Sequence, residues 1–516
     1  MAPGKPLGLP SLHYPCGHGP FNRSTTIITR SPLQALAAQL LLFLVLLTGA
    51  LAVSRSDAND FDLPVLGDAT SGVISLQQEF ELGRAWLRAF RSRVQTLDDP
   101  ELQLYLEQLL YDLAGYSALD NPRLELVVIN NSTMNAFAVP GGVVGAHTGL
   151  FRFAESEDEL ASVLAHELAH LSQRHFARGV QNQRASSMGT MAGLLAGIIL
   201  AATVGGDAGM AAITATQAAA LDSALRYSRQ NEQEADRIGI ETLYRSGRDP
   251  KAVSNMFERM LAATRFTGQR PPEFLLTHPL TESRIADARN RIGNYPARHY
   301  PASAQYTYMR ARALIYIDGN AQKSINRFTS ELDGESLSKR ASRYGLALAL
   351  ALAGKHDQAW QTLAPMLDEE PRNLTLQLAA LDLETSAGKY EDALGRIAGL
   401  ERLHKNNYAL QRNKAEIFLK QGDYNASQQV LEDLSRKRPE DPEVWFQLAE
   451  VSGLAGDIVA VHKARAEYFV LIGVFDKARQ QLGYAQRLVK QNYRENAMLE
   501  QRLRDVAQLE EKTKNL

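Results

Sequence analysis

Residues 166–170 read His-Glu-Leu-Ala-His, and this HELAH stretch decides the class of the N-terminal half of the chain. It follows Ser156-Glu157-Asp158-Glu159, a pattern typical of the first turn of a helix. Apolar residues then recur at helical spacing, at Leu160, Val163, Leu164, Leu168 and Leu171. His166 and His170 should therefore project from one helix face, one turn apart, as two ligands of one metal ion must.

Glu167 follows the first histidine and should point about 100° away from it around the helix. From there its carboxylate can act as a general base that takes a proton when water attacks a carbonyl. An HExxH stretch on a helix therefore predicts a catalytic zinc site in a peptide-bond hydrolase.

A third ligand must come from elsewhere, because the HExxHxxGxxH pattern fails: Gln173 and Phe176 occupy its glycine and histidine positions. Asn231-Glu232-Gln233-Glu234-Ala235-Asp236 supplies an NExxxD pattern on a second predicted helix. Glu232 is the predicted third ligand, and Asp236, one turn on, the predicted acceptor from a ligating imidazole. On a continuous helix His175 would lie about 180° from His166, so it should face away from the metal. It is therefore predicted to be a surface or capping residue.

The composition excludes several classes of protein. The chain has 516 residues, enough for two to four domains at about 150 residues each. Its only cysteine is Cys16, which excludes a disulfide scaffold, a Cys-rich zinc finger and a CxxC redox enzyme. The formal net charge of −2 gives no general electrostatic reason to expect nucleic-acid binding.

The N-terminal 52 residues have the features of a secretory signal. Residues 1–56 contain no Asp or Glu, and the uncharged run Leu40–Ala52 is too short for a membrane-spanning helix. Ala50-Leu51-Ala52 is a typical cleavage site, so 1–52 are predicted to be a signal peptide; an uncleaved anchor is the alternative.

The C-terminal part repeats every 34 residues. Gly354, Gly388, Gly422 and Gly456 mark the period. Five residues after each glycine lie Ala359, Ala393, Ser427 and Val461. A 34-residue helix–turn–helix period is that of tetratricopeptide repeats, which stack into a superhelix that binds extended segments or partner proteins. The predicted fold is therefore α+β and mostly helical, with a metallopeptidase domain at 57–300 and a repeat array at 301–516.

HELAH, NEQEAD and LLTHPLTESRIADAR (275–289) resemble the zinc metalloendopeptidase family that contains HtpX and the CAAX prenyl protease. The order of signal peptide, peptidase and repeat array is similar to a periplasmic member of that family. The resemblance implies one zinc ion per chain and quality control of outer-membrane proteins. It also implies an edge strand over the cleft at residues 135–142, for which an ordinary hairpin with a Pro-Gly-Gly turn remains the alternative.

The resemblance further places His278 near the metal, either as an inhibitory fourth ligand or as a hydrogen-bond donor to the oxyanion. Arg284 would stabilise developing negative charge or support the loop. The charge-free run Gly189–Gly206 lies within Met188–Leu221 and reaches the lower limit of a membrane span, so a span is one alternative. Its Ala and Gly content and Asp207 favour a helical hairpin beside the active site, acting as a lid or touching the membrane surface.

The predicted function is thus that of a periplasmic zinc metalloendopeptidase, at or near the outer membrane. It would promote the assembly of β-barrel proteins and degrade misassembled ones. Its expected partners are unfolded or stalled outer-membrane proteins and, through the array, the barrel assembly machinery. The alternative is a chaperone or adaptor that acts mainly through the array, with a latent, self-inhibited protease site.

Overall fold

A computed structural model of the chain describes residues 74–119, 123–182, 229–266 and 272–514. These residues belong to one compact unit, Leu66–Leu516. The predicted signal peptide (1–52) and the stretch 188–221 lie outside the described residues.

The described part of the chain contains three strands and 21 helices, which confirms the mostly helical α+β fold. The elements of the N-terminal half are α1 (Leu76–Arg91), α2 (Pro100–Ala114), β1 (Glu125–Ile129), β2 (Ala136–Val139), β3 (Val143–His147), α3 (Leu150–Phe153), α4 (Glu157–Ser172), α5 (His175–Asn182), α6 (Arg229–Arg245), α7 (Lys251–Phe266), α8 (Glu273–Thr277) and α9 (Glu282–Ile292).

The helices of the C-terminal half follow one another with short connections. They are α10 (Ala304–Asp318), α11 (Ala321–Asp333), α12 (Lys339–Leu352), α13 (His356–Glu369), α14 (Leu374–Ser386), α15 (Tyr390–Leu403), α16 (Tyr408–Gln421), α17 (Tyr424–Lys437), α18 (Pro442–Leu454), α19 (Ile458–Leu471), α20 (Phe475–Leu488) and α21 (Tyr493–Lys514).

The three strands form one sheet in the order β1-β3-β2, with β1 parallel and β2 antiparallel to β3. Side chains alternate between its two faces, as a strand period of two requires. Leu126 and Val128 join the main core together with α2 and α4. Val127 and Ile129 pack with α1 in a second cluster. The sheet is therefore covered on both faces, and β2 forms one of its edges.

Helix α4 carries the HELAH stretch and begins where the sequence predicts. Ser156 is its N-cap, and its side chain accepts a hydrogen bond from the backbone N–H of Glu159. Helix α6 packs along α4. Their close approach depends on Gly239, because a Cβ atom there would lie only 3.3 Å from the backbone nitrogen of His166. A glycine in the second helix thus brings the two predicted ligand-bearing helices together.

The repeat array has the architecture predicted from its 34-residue period. The glycines that mark the period, between the two helices of successive pairs, have positive φ angles: Gly354 at 72°, Gly388 at 74°, Gly422 at 87° and Gly456 at 82°. These left-handed conformations close the turns at little steric cost. The residues five positions later are buried: the small side chains of Ala359, Ala393 and Ser427 are 0% exposed, and the larger Val461, where the small residue is lost, is 7% exposed.

The array and the peptidase half share one core. The largest cluster of buried side chains extends from Leu102 in α2 through α4 and α6 to Leu383 in α14. At its edge the buried guanidinium of Arg312 in α10 pairs with Asp99 at 2.6 Å, Glu101 at 2.9 Å and Asp382 at 3.0 Å. Since both halves lie in one unit, the predicted boundary at residue 300 stays a prediction. No helix in the described ranges is both long and apolar enough to cross a membrane.

Candidate metal centre

The two histidines of α4 point at one position in a buried cleft. Their side chains are almost wholly buried, with His166 at 6% and His170 at 3% exposure. Their Nε2 atoms lie 3.0 Å apart. Both imidazoles thus direct a lone pair toward a common point, as the i and i+4 spacing predicts.

Helix α6 adds a carboxylate to this position. Glu232 is 2% exposed, and its oxygens lie 3.5 Å from Nε2 of His166 and 3.4 Å from Nε2 of His170. A fourth group comes from the residue after α8, since Nδ1 of His278 lies 3.1 Å from Glu232 and 3.4 Å from Nε2 of His166. The four donor atoms all lie within 4.8 Å of one another.

Five of these separations are close to what a zinc ion requires. Ligand atoms at about 2.0–2.1 Å from a tetrahedral centre are about 3.3 Å from one another. The five separations above lie between 3.0 and 3.5 Å. Two neutral imidazole nitrogens and a carboxylate oxygen are also the donor set that zinc prefers in catalytic sites. The residues present therefore fit a bound divalent metal.

Asp236, one turn beyond Glu232, supports the centre without reaching its middle. Its Oδ1 lies 3.0 Å from Nδ1 of His166, so it can accept the proton on that nitrogen and orient the ring. Arg284 in α9 donates to both oxygens of Asp236 at 2.7 Å and lies 2.8 Å from Oε2 of Glu232. Arg284 also donates to the carbonyl of Pro279 at 2.9 Å, so of the two roles that the sequence left open for it, this geometry favours support of the loop.

The charges at the centre depend on one another. Burial alone would lower the pKa of His166, but the carboxylates of Asp236 and Glu232 outweigh it and raise this pKa to about 9. Burial alone would raise the pKa of Glu232, yet the imidazoles of His278, His166 and His170 hold it well below its usual range. Glu232 is thus kept as a carboxylate, the form that binds a metal.

Glu167 lies beside the donors and is fully buried, at 0% exposure. Burial raises its pKa, against the opposing effect of the His278 and His166 imidazoles. Its Oε1 atom lies 3.6 Å from Nε2 of His278, the nitrogen that does not face Glu232. His278 is therefore inserted between the carboxylate expected to act as base and the predicted third ligand.

The short helix α8 holds His278 in place. The backbone N–H of Phe274 donates to the carbonyl of Met134 at 3.2 Å, and Oγ1 of Thr133 donates to Oε2 of Glu273 at 3.1 Å. The Phe274 ring stacks on the His278 imidazole at 4.6 Å. The loop between β1 and β2 thus fixes the start of α8, and α8 fixes the histidine.

The prediction that His175 is a surface residue directed away from the site is wrong. It assumed one continuous helix, but α4 ends at Ser172 and a new helix begins at His175. Arg174 between them has a φ angle of 48°, in the left-handed region. The chain therefore turns, and the imidazole of His175 is buried at 1% exposure with its Nδ1 atom 2.8 Å from Nδ1 of His170.

The predicted strand over the cleft is β2. It is an edge strand beside α4, and it is also one arm of a hairpin with β3 whose turn contains Gly141 and Gly142 at φ angles of 80° and 83°. Both expectations for residues 135–142 therefore describe the same feature. An edge strand is the element to which an extended peptide can add by β-augmentation.

The structure brings together all six residues that the sequence proposed for the site: His166, Glu167, His170, Glu232, Asp236 and His278. Sequence reasoning missed His175 and its contact with Glu234, and it missed the tie between Glu273 and the loop after β1. No sequence signal pointed to either contact, since each depends on a turn or on residues far apart in the chain.

Comparison with known proteins identifies both halves. A model of peptidase family M48 matches residues 100–292, and a tetratricopeptide-repeat model matches residues 384–449.

The chain is 35% identical over 467 residues to the beta-barrel assembly-enhancing protease of Escherichia coli (strain K12), covering 90% of this chain and 95% of that protein. It is 33% identical over 482 residues to the Yersinia pestis protein of the same name, covering 92% and 98%. The mitochondrial metalloendopeptidase OMA1 of Schizosaccharomyces pombe is 35% identical over 183 residues, covering 35% of this chain and 50% of that protein.

Proposed function

The chain belongs to peptidase family M48, among the beta-barrel assembly-enhancing proteases, and from this premise we propose that it is a periplasmic zinc metalloendopeptidase for outer-membrane barrel proteins. The observation that carries the proposal is the buried group of His166, His170, Glu232 and His278, whose donor atoms all lie within 4.8 Å of one another, with five of the separations between 3.0 and 3.5 Å. The family membership makes the chain a metalloendopeptidase; the choice of zinc and the residue roles are proposed from the geometry.

His166, His170 and Glu232 would hold one zinc ion per chain. Zinc bound there supplies a Lewis acid for the scissile carbonyl and lowers the pKa of water at the site. Asp236 holds the proton on Nδ1 of His166 and so leaves Nε2 free as a ligand. Arg284 neutralises Asp236 and Glu232 together, which keeps two buried carboxylates in the same site.

Glu167 is the proposed general base. Its side chain is fully buried and therefore shielded from bulk water. In the reaction it can take a proton from the attacking water and return it to the leaving amine. An extended substrate would align by adding a strand to the edge of β2, which runs beside α4. Main-chain pairing suits an enzyme for unfolded chains, because it depends little on the side chains of the substrate.

The described arrangement is the closed form of this site. His278 takes the fourth donor position and faces Glu167 with its other nitrogen, so that water and a scissile carbonyl would have to displace it. This observation also favours the second candidate function, in which the chain works mainly as a chaperone or adaptor and cleaves only when His278 is withdrawn. The two functions differ in how often the site opens.

The repeat array would bind the partners. Stacked helix pairs form extended surfaces for polypeptide segments, and two proteins to which this chain is similar are named for enhancing the assembly of beta-barrels. Stalled outer-membrane proteins and the machinery that inserts them are therefore the proposed partners, at or near the periplasmic side of the outer membrane. The net charge of −2 gives no general electrostatic reason to expect a nucleic acid among the partners. A surface contact with the membrane through 188–221 remains a proposal from the sequence alone.

A complementation experiment tests this function in cells. A strain that lacks the gene should accumulate unassembled outer-membrane barrel proteins, and the wild-type chain should restore assembly and clear them. The Glu167→Gln chain should fail to clear them if proteolysis is the main activity. Full clearance by Glu167→Gln would establish the adaptor function, and unchanged barrel proteins in the deletion strain would contradict both.

A further inference from the structure

On the side of the ring that points away from the predicted metal, His170 makes a different kind of contact from the other predicted histidine ligand, His166. His166 places its Nδ1 against the carboxylate of Asp236. His170 places its Nδ1 2.8 Å from Nδ1 of another imidazole, that of His175. The second nitrogen of His175, Nε2, lies 3.2 Å from Oε2 of Glu234, whose partner is the guanidinium of Arg178.

The positions of the protons follow from what each nitrogen must do. A His170 ring that gives its Nε2 lone pair to a metal carries its proton on Nδ1. A separation of 2.8 Å between two Nδ1 atoms needs one donor and one acceptor, so Nδ1 of His175 must accept. The proton of His175 then sits on Nε2, where it can be donated to Glu234. One arrangement of protons thus satisfies both hydrogen bonds, the one between His170 and His175 and the one between His175 and Glu234.

The backbone is built to place His175 there. Arg174 adopts its left-handed conformation while its guanidinium pairs with Glu79 of α1 at 3.2 Å and donates to the carbonyl of Ile74. A residue other than glycine in this conformation is uncommon and persists where its surroundings hold it. The turn anchored by Arg174 directs the His175 imidazole back under His170.

We propose that His175 is a positioning residue of the metal centre: it accepts the Nδ1 proton of His170 and, backed by Glu234, fixes the tautomer and ring orientation with which His170 binds the metal. This inference rests on the proposed metal site and extends it to an imidazole that supports another imidazole. His175 does not touch the metal or the substrate. Its effect is therefore on the affinity for the metal and on the geometry of the centre.

The test measures metal binding by the full chain without its signal peptide, in the Glu167→Gln background to prevent self-digestion. Zinc affinity is measured by competition with a chromophoric chelator, and the geometry by the visible absorption of the cobalt-substituted protein. Loss of a supporting contact behind a metal ligand costs about 10- to 100-fold in metal affinity. His175→Ala should show a loss of that size and an altered cobalt spectrum. His175→Gln should recover part of it, because its amide can accept from His170 and donate to Glu234.

A substitution at a partly exposed position tests the same inference in case the variants of the buried His175 misfold. Glu234 is 24% exposed, so Glu234→Gln should fold normally and still weaken zinc binding several-fold. Glu241→Gln is the matched control, since it makes the same change on the same helix at a side chain that is 59% exposed. It should bind zinc as the parent chain does.

The outcomes separate this inference from the proposed function. If the parent chain binds no zinc, the metal site itself is wrong. If the parent chain binds zinc and His175→Ala binds it equally well, only the positioning role is wrong. Equal losses in His175→Ala and His175→Gln, or equal affinities of Glu234→Gln and Glu241→Gln, would likewise contradict it.

Discussion

Nδ1 of His278 lies 3.1 Å from Oε1 of Glu232, and Nε2 of the same ring lies 3.6 Å from Oε1 of Glu167. One imidazole therefore lies between the predicted third ligand and the predicted base. A residue in this place competes with the water and the carbonyl that the reaction needs.

The first prediction concerns this imidazole. His278→Ala should increase the cleavage of an unfolded protein such as casein by the full chain, because it empties the fourth donor position. For each 1.4 kcal/mol by which the closed form is more stable than the open form, the cleavage rate should increase about tenfold on removal of the imidazole. His299→Ala, at an exposed histidine outside the centre, is the control. A drop in cleavage by His278→Ala, at unchanged zinc content, would show instead that His278 assists the transition state.

The second prediction concerns Asp236. Asp236→Ala removes the acceptor for Nδ1 of His166 and leaves Arg284 without its bidentate partner. Zinc affinity should fall about 10- to 100-fold, as for other carboxylates behind a ligating histidine. Chelator competition measures it, and Asp287→Ala on α9, whose side chain is 37% exposed, is the matched control. Equal zinc affinity of the two variants would contradict the supporting role.

The third prediction concerns the pH dependence of stability in the presence of a strong chelator. The pKa of His166 is raised to about 9 in the folded chain, against about 6.5 when unfolded. Its contribution is therefore fully present below pH 6.5 and is lost as pH rises through 9, by up to about 3 kcal/mol. Urea unfolding at pH 6.5 and 9 should show this loss, and His166→Asn should reduce it. The same loss in both chains would contradict the assignment.

The fourth prediction concerns the junction of the two halves. Arg312 pairs with Asp99, the N-cap of α2, and with Glu101 and Asp382. Removing one partner of a buried ion pair leaves uncompensated charge and costs about 3–5 kcal/mol. Arg312→Leu should therefore lower the thermal midpoint by several degrees, whereas Arg343→Leu, at an exposed arginine of α12, should leave it nearly unchanged. Equal midpoints would mean that the junction does not depend on this cluster.

Local patterns predicted a large part of the fold and of the site. The helical spacing around HELAH placed His166 and His170 on one face, and the NExxxD spacing placed Glu232 and Asp236 on another. The 34-residue glycine period gave the turns of the array, because a tight turn after a helix requires a positive φ angle. Each of these features depends on residues within a few turns of one another.

The features that the sequence did not predict depend on long-range contacts or on one unusual dihedral angle. His175 was misplaced because the left-handed conformation of Arg174 breaks a helix that the apolar pattern would continue. The pairing of Arg312 with Asp99 joins residues 213 positions apart, and no local pattern encodes it. The ligand roles of the site residues remain predictions that metal binding must test.

The most direct test of the central claim compares zinc content and proteolysis in the same preparations. The full chain without residues 1–52 would be purified as His278→Ala and as His278→Ala with Glu167→Gln, and each would be incubated with casein with and without a chelator. We predict close to one zinc per chain in both, with cleavage only in His278→Ala and only without the chelator. Cleavage that persists in the Glu167→Gln chain, or a zinc-loaded His278→Ala chain that cleaves nothing, would contradict the account.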